Sequence, residues 1–184
     1  MTFAGVSALC NVLNDTSGLK NTRRPQHLNL DKVENLNRMT LYRMRVLELF
    51  SGTGSVGGVC KRLGCEVVSL DRDMEADIRT DIMDWDYRSY PPGSFDVIWS
   101  SPPCTEYSRA KTIGVRKLDE ANGIVKRTLE IIEYFRPTYW IMENPQTGLL
   151  KSQPFIADLP YNDLDYCKYG MLALQKADQT LEQN

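Results

Sequence analysis

Val46–Leu47–Glu48–Leu49–Phe50, followed by Ser51–Gly52–Thr53–Gly54, is a short apolar run that stops at a small, glycine-paired turn. Apolar side chains at Val46, Leu47, Leu49 and Phe50 suit a strand covered on both faces, and such strands belong to parallel sheets flanked by helices. Gly52 and Gly54 let the backbone turn sharply and approach a ligand with no Cβ in the way. From Ser55 the pattern becomes helical: Val56, Val59, Cys60 and Leu63 share one face before Gly64 ends the helix. Strand, glycine turn and helix in this order set a ligand crevice at the strand's carboxyl end, as in open α/β sheets. The turn does not choose the ligand. No Gly-Lys-Ser/Thr follows it, which excludes a P-loop, whereas Gly52, Gly54 and Gly57 leave a nicotinamide enzyme open.

At 184 residues, 42% hydrophobic and 25% charged, the chain is long enough for one domain with a real core. Its net charge of −2 gives no whole-molecule attraction to nucleic acid, so such binding must come from a local basic face. The five cysteines (Cys10, Cys60, Cys65, Cys104, Cys167) form no Cys-x-x-Cys pair, and the one histidine is His27. That argues against a metal site and against a Ser-His-Asp triad. Phe3–Leu13 is apolar yet lacks a basic flank and a cleavage site, and no run reaches membrane length. The expectation is a reduced, cytoplasmic protein with no membrane partner.

Residues 1–45 read as a loosely structured leader with a weak helix from Leu30 to Met39, capped by Asp31. Cys65–Leu70 reads as a second strand ending on Asp71, about 20 residues past the glycine turn, where a carboxylate can accept both hydroxyls of a ribose. A solvated strand-end acid is the plain alternative. Ala76–Ile82 supplies Asp77 and Asp81 at its turns, with Asp81 and Ile82 the preferred neighbours of a bound base. Pro91–Pro92–Gly93 announces a strand over Phe95–Ser100. It delivers Ser101–Pro102–Pro103–Cys104–Thr105–Glu106–Tyr107–Ser108, in which two prolines make a stiff exit that holds Cys104 at the sheet's carboxyl edge. Cys104 is there either a nucleophile with a lowered pKa or a buried structural thiol. Leu118–Tyr134 is an amphipathic helix whose Ile124, Leu129, Ile131 and Ile132, with Phe135, read as core before Arg136–Pro137 closes it. Thr138–Met142 is the next strand and runs into Glu143–Asn144–Pro145, a further acid at a strand tip. Asp163–Gly170 reads as one more strand. Arg109, Lys111, Arg116, Lys117, Lys126 and Arg127 are cations able to meet phosphates, Arg109 and Lys111 foremost, or to form a solvated face.

Together these features resemble the DNA cytosine-5 methyltransferase family. Leu47–Gly54 is similar to its cofactor motif, Asp-Leu-Phe-Ala-Gly-x-Gly-Gly. Pro103–Ser108 is similar to its Pro-Cys-Gln-x-Phe-Ser, and Glu143–Asn144–Pro145 to its Glu-Asn-Val, so that the likeness spans Val46 to Gly170. The resemblance implies an α/β, Rossmann-like S-adenosylmethionine-dependent methyltransferase sheet. Its catalytic domain would cover 46–170, between the leader 1–45 and a short tail, 171–184. It implies S-adenosyl-L-methionine lined by Phe50, Ser51, Gly52, Thr53 and Gly54, with Asp71 on the ribose and Asp81 and Ile82 near the base. It implies a catalytic set of Cys104, Glu143 and Asn144, acting on a cytosine flipped out of DNA.

The departures are Thr105, Tyr107 and Pro145 in place of glutamine, phenylalanine and valine. Met171–Asp178 also lacks the arginines of the family's Gln-x-Arg-x-Arg, and no recognition domain follows. The sheet is expected to lack its last strands and to leave an edge exposed. Three functions are open: cytosine methylation, by a short relative of prokaryotic or phage restriction–modification type with a separate chain supplying the recognition half, and a truncated relative that binds S-adenosylmethionine or a protein without catalysis. A dehydrogenase-like NAD domain is the third.

Overall fold

The computed structural model describes residues 44–164, which up to Pro160 belong to one compact unit. Among them are five strands: β1 (Arg45–Leu49), β2 (Glu66–Asp71), β3 (Ile78–Arg79), β4 (Val97–Ser100) and β5 (Tyr139–Met142). They form one sheet in the order β3-β2-β1-β4-β5, and every pairing is parallel. Helix α1 (Ser55–Arg62) joins β1 to β2, and helix α2 (Leu118–Phe135) joins β4 to β5. The first crossover steps toward one edge of the sheet and the second toward the other. Right-handed crossovers therefore put the two helices on opposite faces. The strand order reverses between β1 and β4, which is where ligands bind in open sheets of this kind.

Central strand β1 is covered from both sides, as its composition requires. Leu47 and Leu49 pack with Leu70, Ile98 and the Ile131, Ile132 and Phe135 side chains of α2. On the other face, Gly57 of α1 lies against Glu48 and Val67. Helix α2 buries Ala121, Val125, Thr128, Ile132 and Phe135, a stripe at helical spacing, and Thr128 Oγ1 returns its proton to the Ile124 carbonyl at 3.0 Å. Ile124 and Leu129, expected in the core, are half-buried flanks of that stripe. The helix stops at Arg136, which takes a left-handed φ of 50° ahead of Pro137.

Several boundaries differ from the sequence reading. β1 ends at Leu49, because Phe50 adopts φ 59° and begins the turn one residue early. The Ala76–Ile82 segment contributes only the two-residue β3. β4 begins at Val97, after Phe95 has joined the core. The helix expected over Leu30–Met39, nearly all of the 1–45 leader, most of the Asp163–Gly170 strand, the 171–184 tail, Cys10, Cys167 and His27 lie outside the described residues.

Candidate active site

The glycine turn leaves β1 over an open cleft of about 360 Å3 lined by Glu48, Ser51, Gly52, Gly54, Gly57 and Lys61, among others. Gly52 and Gly54 have φ of 54° and 68°, and a Cβ on either would project into empty space, so the backbone lies bare to whatever occupies the cleft. Ser51 Oγ is buried and has no hydrogen-bond partner. A buried hydroxyl of this kind is costly unless something pairs with it, which a polar ligand in the cleft would do.

Glu48 is the residue that sequence reasoning missed. It is 3% exposed, in a strand whose other buried residues are apolar, and its carboxyl group lies against the start of α1, where the amides of Gly57 and Val56 favour its charged form. Desolvation pushes its pKa above the ordinary carboxyl range; those two amides and the charge of Lys61 work against the rise without cancelling it. A Cβ on Gly57 would overlap this carboxylate, so the glycine makes room for it. The signal was legible, since a charge inside a doubly covered strand is stable only with built-in partners. The consequence is chemical. A carboxyl group stands against the first turn of α1 where a pyrophosphate would sit, so the nicotinamide alternative lacks its anion cradle, and the cleft suits a ligand that is cationic there.

Asp71, at the tip of β2, is engaged more fully than a ribose ligand would be. Its Oδ2 accepts the Gly52 amide at 2.8 Å, and its Oδ1 accepts the amides of Asp73 at 2.9 Å and Met74 at 2.8 Å. Desolvation opposes its charge, but the amides of Met74, Gly52 and Asp73 and the nearby Arg72 outweigh it and hold the carboxyl below its usual range. Asp71 thus clamps the glycine turn to the β2 exit and keeps room for about one more donor. Asp77 is a clamp too, its Oδ2 taking both the amide and the hydroxyl of Ser69 at 2.9 and 2.7 Å. Asp81 accepts the Met83 amide at 2.9 Å and pairs with Arg72 at 3.3 Å. Ile82 is 3% exposed within the core.

β4 and β5 carry the second cluster. Their register pairs Ser100 with Met142, and the Glu143 amide donates to the Ser100 carbonyl at 2.9 Å. Half-buried Cys104 and half-buried Glu143 therefore leave neighbouring strands at the same edge of the sheet. Asn144 Nδ2 donates to the Pro102 carbonyl at 3.0 Å, tying the Glu-Asn-Pro exit to the Pro-Pro-Cys exit, while its buried Oδ1 has no partner. Tyr107, fully buried, anchors the cysteine loop from below. Its amide donates to the Cys104 carbonyl at 3.0 Å, its carbonyl accepts the Leu149 amide at 2.9 Å, and its hydroxyl donates to Asn122 of α2 at 2.8 Å. Burial pushes its phenol up to about 12.

The basic flank needs correction. Lys111 Nζ is held by the Glu106 carboxylate, and Arg116 by three backbone carbonyls. Arg127 is spent on Glu130 and on the carbonyls of Ile82 and Trp85, and Lys126 lies 5.2 Å from the Phe155 ring. Arg109 is exposed. Lys111 was expected to stand beside Arg109 as a phosphate contact. In the folded chain its charge is already matched, a pairing between residues five apart in an irregular loop that no periodicity announces.

Residues 44–154 match the family model of the C-5 cytosine-specific DNA methylases, well over half of the chain. The chain belongs to that family. A relative described as a probable DNA (cytosine-5)-methyltransferase of Frog virus 3 is 39% identical over 141 residues, which cover 69% of this chain and 64% of the relative. The methylase chain thus spans less than two thirds of that relative's length. Its fold is also similar to the crystal structure of a SAM dependent methyltransferase from Archaeoglobus fulgidus, at 15% identity and a TM-score of 0.37 over 58% of this chain and 47% of that one. No group of three or more His, Cys, Asp or Glu able to hold a metal occurs among the described residues, and no helix among them is long and apolar enough to cross a membrane.

Proposed function

We propose that the chain methylates carbon 5 of cytosine in DNA, with S-adenosylmethionine as donor and Cys104 as a covalent nucleophile. Beyond family membership, the observation that carries this reading is the Asn144–Pro102 bond, which joins the cysteine loop and the Glu143 turn into one rim. Beside that rim lies the cleft of Glu48 and Ser51, since Ser101 at the β4 exit still donates to the β1 carbonyl of Leu49 at 3.4 Å.

When bound, S-adenosylmethionine supplies an electrophilic methyl group on a cationic sulfur. Glu48 complements the cationic end, Ser51 gains the partner it lacks, and Phe50, Gly52, Thr53 and Gly54 line the turn. Asp71 offers its remaining acceptor site to a ribose hydroxyl. Asp81, paired with Arg72, and Ile82, buried in the core, would stand on the adenine side of the bound donor.

Carbon 5 of cytosine is a poor nucleophile. The Cys104 thiolate adds to carbon 6, forming a C–S bond and moving the carbon 5–carbon 6 π pair onto carbon 5 and toward ring nitrogen 3, where Glu143 supplies a proton. Carbon 5 would then bond to the methyl group as that group's bond to the donor's sulfur breaks. Loss of the carbon 5 proton to water re-forms the π bond and expels the Cys104 thiolate, while Glu143 recovers its proton from ring nitrogen 3. Asn144 keeps the two loops in register. The base must leave the duplex to be reached from both faces, at a cost of about a few kcal/mol. We assign catalysis to residues 46–170, with 1–45 and 171–184 outside it, sequence recognition to a separate chain, and the site of action to the cytoplasm, where thiols stay reduced.

Labelled methyl transfer to mixed-sequence DNA tests the chemistry, comparing the chain with Cys104→Ser, and thermal-shift titration with S-adenosylmethionine or NAD tests the donor. The expected result is a shift with S-adenosylmethionine for both proteins and transfer only by the chain with Cys104. Undiminished transfer by Cys104→Ser removes the covalent step. A shift with NAD alone removes the donor, and binding without transfer even with recognition chains added leaves a non-catalytic relative.

A further inference from the structure

The segment between β4 and α2 is long, carries the nucleophile, and contains no helix or strand, yet it is tied at two levels. Arg116 spreads its guanidinium over three carbonyls, donating from Nη1 to Glu106 at 2.9 Å and Ser108 at 2.8 Å and from Nη2 to Lys111 at 3.0 Å. Glu106, two residues after Cys104, accepts Lys111 Nζ on both carboxylate oxygens at 2.5 and 2.6 Å, and its Oε2 also accepts the amide of Lys117 at 2.8 Å. Lys117 is the residue from which α2 starts. One carboxylate therefore holds the nucleophile end of the loop, its middle and its helical end. Glu106 and Lys111 are each only 21% exposed, so the pair is partly shielded from salt and water.

We propose that Glu106 is a positioning residue for Cys104: it holds the nucleophile loop shaped before DNA arrives and withholds Lys111 from the DNA backbone while doing so. This rests on the cytosine methylase reading above. The loop carries Cys104 at one end and is fastened to α2 at the other. An ordered loop keeps the sulfur at the rim beside Glu143 without an ordering step at each encounter. The same bond sets the loop's electrostatics. After Arg109, Lys111 is the next cation along the chain from the nucleophile, and a phosphate would have to displace a twice-bonded carboxylate to claim it. Loosening the staple thus has two effects of opposite sign: slower chemistry, and tighter, more salt-sensitive attachment to DNA.

The test uses the full chain with Glu106→Gln, Lys111→Gln and the double variant. On the protein alone, hydrogen exchange at the Lys117 amide is expected to quicken by roughly tenfold or more in Glu106→Gln, as the bond protecting it weakens. With DNA, Glu106→Gln is expected to bind more tightly at low salt, with the slope of log K against log salt steeper by about 0.9, one extra phosphate contact. Its turnover should fall while its KM for DNA does not rise. Adding Lys111→Gln should cancel the gain in affinity and leave the slow turnover. Exchange unchanged in Glu106→Gln, or weaker DNA binding that Lys111→Gln does not alter, overturns the proposal. Should Glu106→Gln fail to fold, Lys111→Gln breaks the same pair from the other side, and an unperturbed loop and turnover in that variant overturn it equally. If the native chain binds no DNA, the methylase reading fails instead, and the exchange result still decides whether Glu106 fastens the loop.

Discussion

Two adjacent glycines in one helix should respond to alanine with opposite signs. Gly57 and Gly58 both lie within α1, where exchanging glycine for alanine stabilises by up to about 1 kcal/mol through helix propensity. At Gly58 the nearest atom to a new Cβ is Arg62 Nη1 at 3.8 Å, ordinary contact, so Gly58→Ala should realise that gain. At Gly57 the new methyl would overlap the Glu48 carboxylate and sit 3.1 Å from Val67 Cγ1. Overpacking of this kind costs about 1–3 kcal/mol. Displacing the carboxyl group from the amides of Val56 and Gly57, which favour its charge, adds roughly 1–3 kcal/mol, part of which rehydration of the carboxylate returns. Net of propensity, Gly57→Ala should destabilise by about 2–4 kcal/mol, a melting point lower by roughly 5–15 °C, against a rise of about 2–4 °C for Gly58→Ala. Urea denaturation measures both. Combining Gly57→Ala with Glu48→Ala should recover at least about 1 kcal/mol of the loss, because the obstacle is gone. If Gly57→Ala and Gly58→Ala shift stability in the same direction, the buried Glu48 carboxylate does not fill the space beside Gly57.

Two further outcomes follow from titration. Asp71 is held below its ordinary value of 3.8, so its stabilisation is present above that pH and is lost as pH falls through the lower folded value. Glu48 is raised above 4.5 and has the opposite sign, costing stability as pH climbs from 4.5 to its folded value. Asp71→Asn should therefore weaken the fold at neutral pH and narrow its gap to the native chain in acid, whereas Glu48→Gln should gain on the native chain as pH rises, as denaturation series at fixed pH will show; parallel curves for either variant reject the assignment. Tyr107→Phe should cost about 1–2 kcal/mol by stranding the Asn122 acceptor. It should also lessen the loss of stability between pH 10 and about 12 that phenols raised by burial bring, leaving the part due to Tyr87, and an unchanged alkaline limb refutes that.

The apolar run at 46–50, the glycine pair and the acids at strand tips were legible because their causes are local: burial on both faces, freedom at positive φ, and a carboxylate at the end of an extended segment. The three motif pieces then specified a parallel sheet and a common rim, which the β1–β4 and β4–β5 registers supply. What was not legible depends on irregular backbone. Asp71 was expected to face a ribose, but the fold of residues 50–54 and 72–74 aims three amides at it first. Asn144 was placed in the catalytic set, and its side chain in fact bonds a proline carbonyl on the next loop. Lys111 and Arg116 read as free cations because nothing in composition says which side chain a loop will fold back upon. Glu48 is the exception, a charge in the middle of a buried strand, and its meaning could have been read.

The reversal of strand order between β1 and β4 has a consequence for how the molecule assembles. β1, α1, β2 and β3 form a group of near neighbours in sequence, and so do β4, α2 and β5, but the seam between the groups joins Val46 to Val97 and closes a long loop. Such closure is slow relative to local contacts. Each group buries only one side of its apolar strands until the seam forms, so an uncovered β1 and β4 are the aggregation hazard of a chain caught halfway. The glycine turn grows from one side of that seam and the cysteine loop from the other, so the two stand side by side only where the β1–β4 pairing has formed.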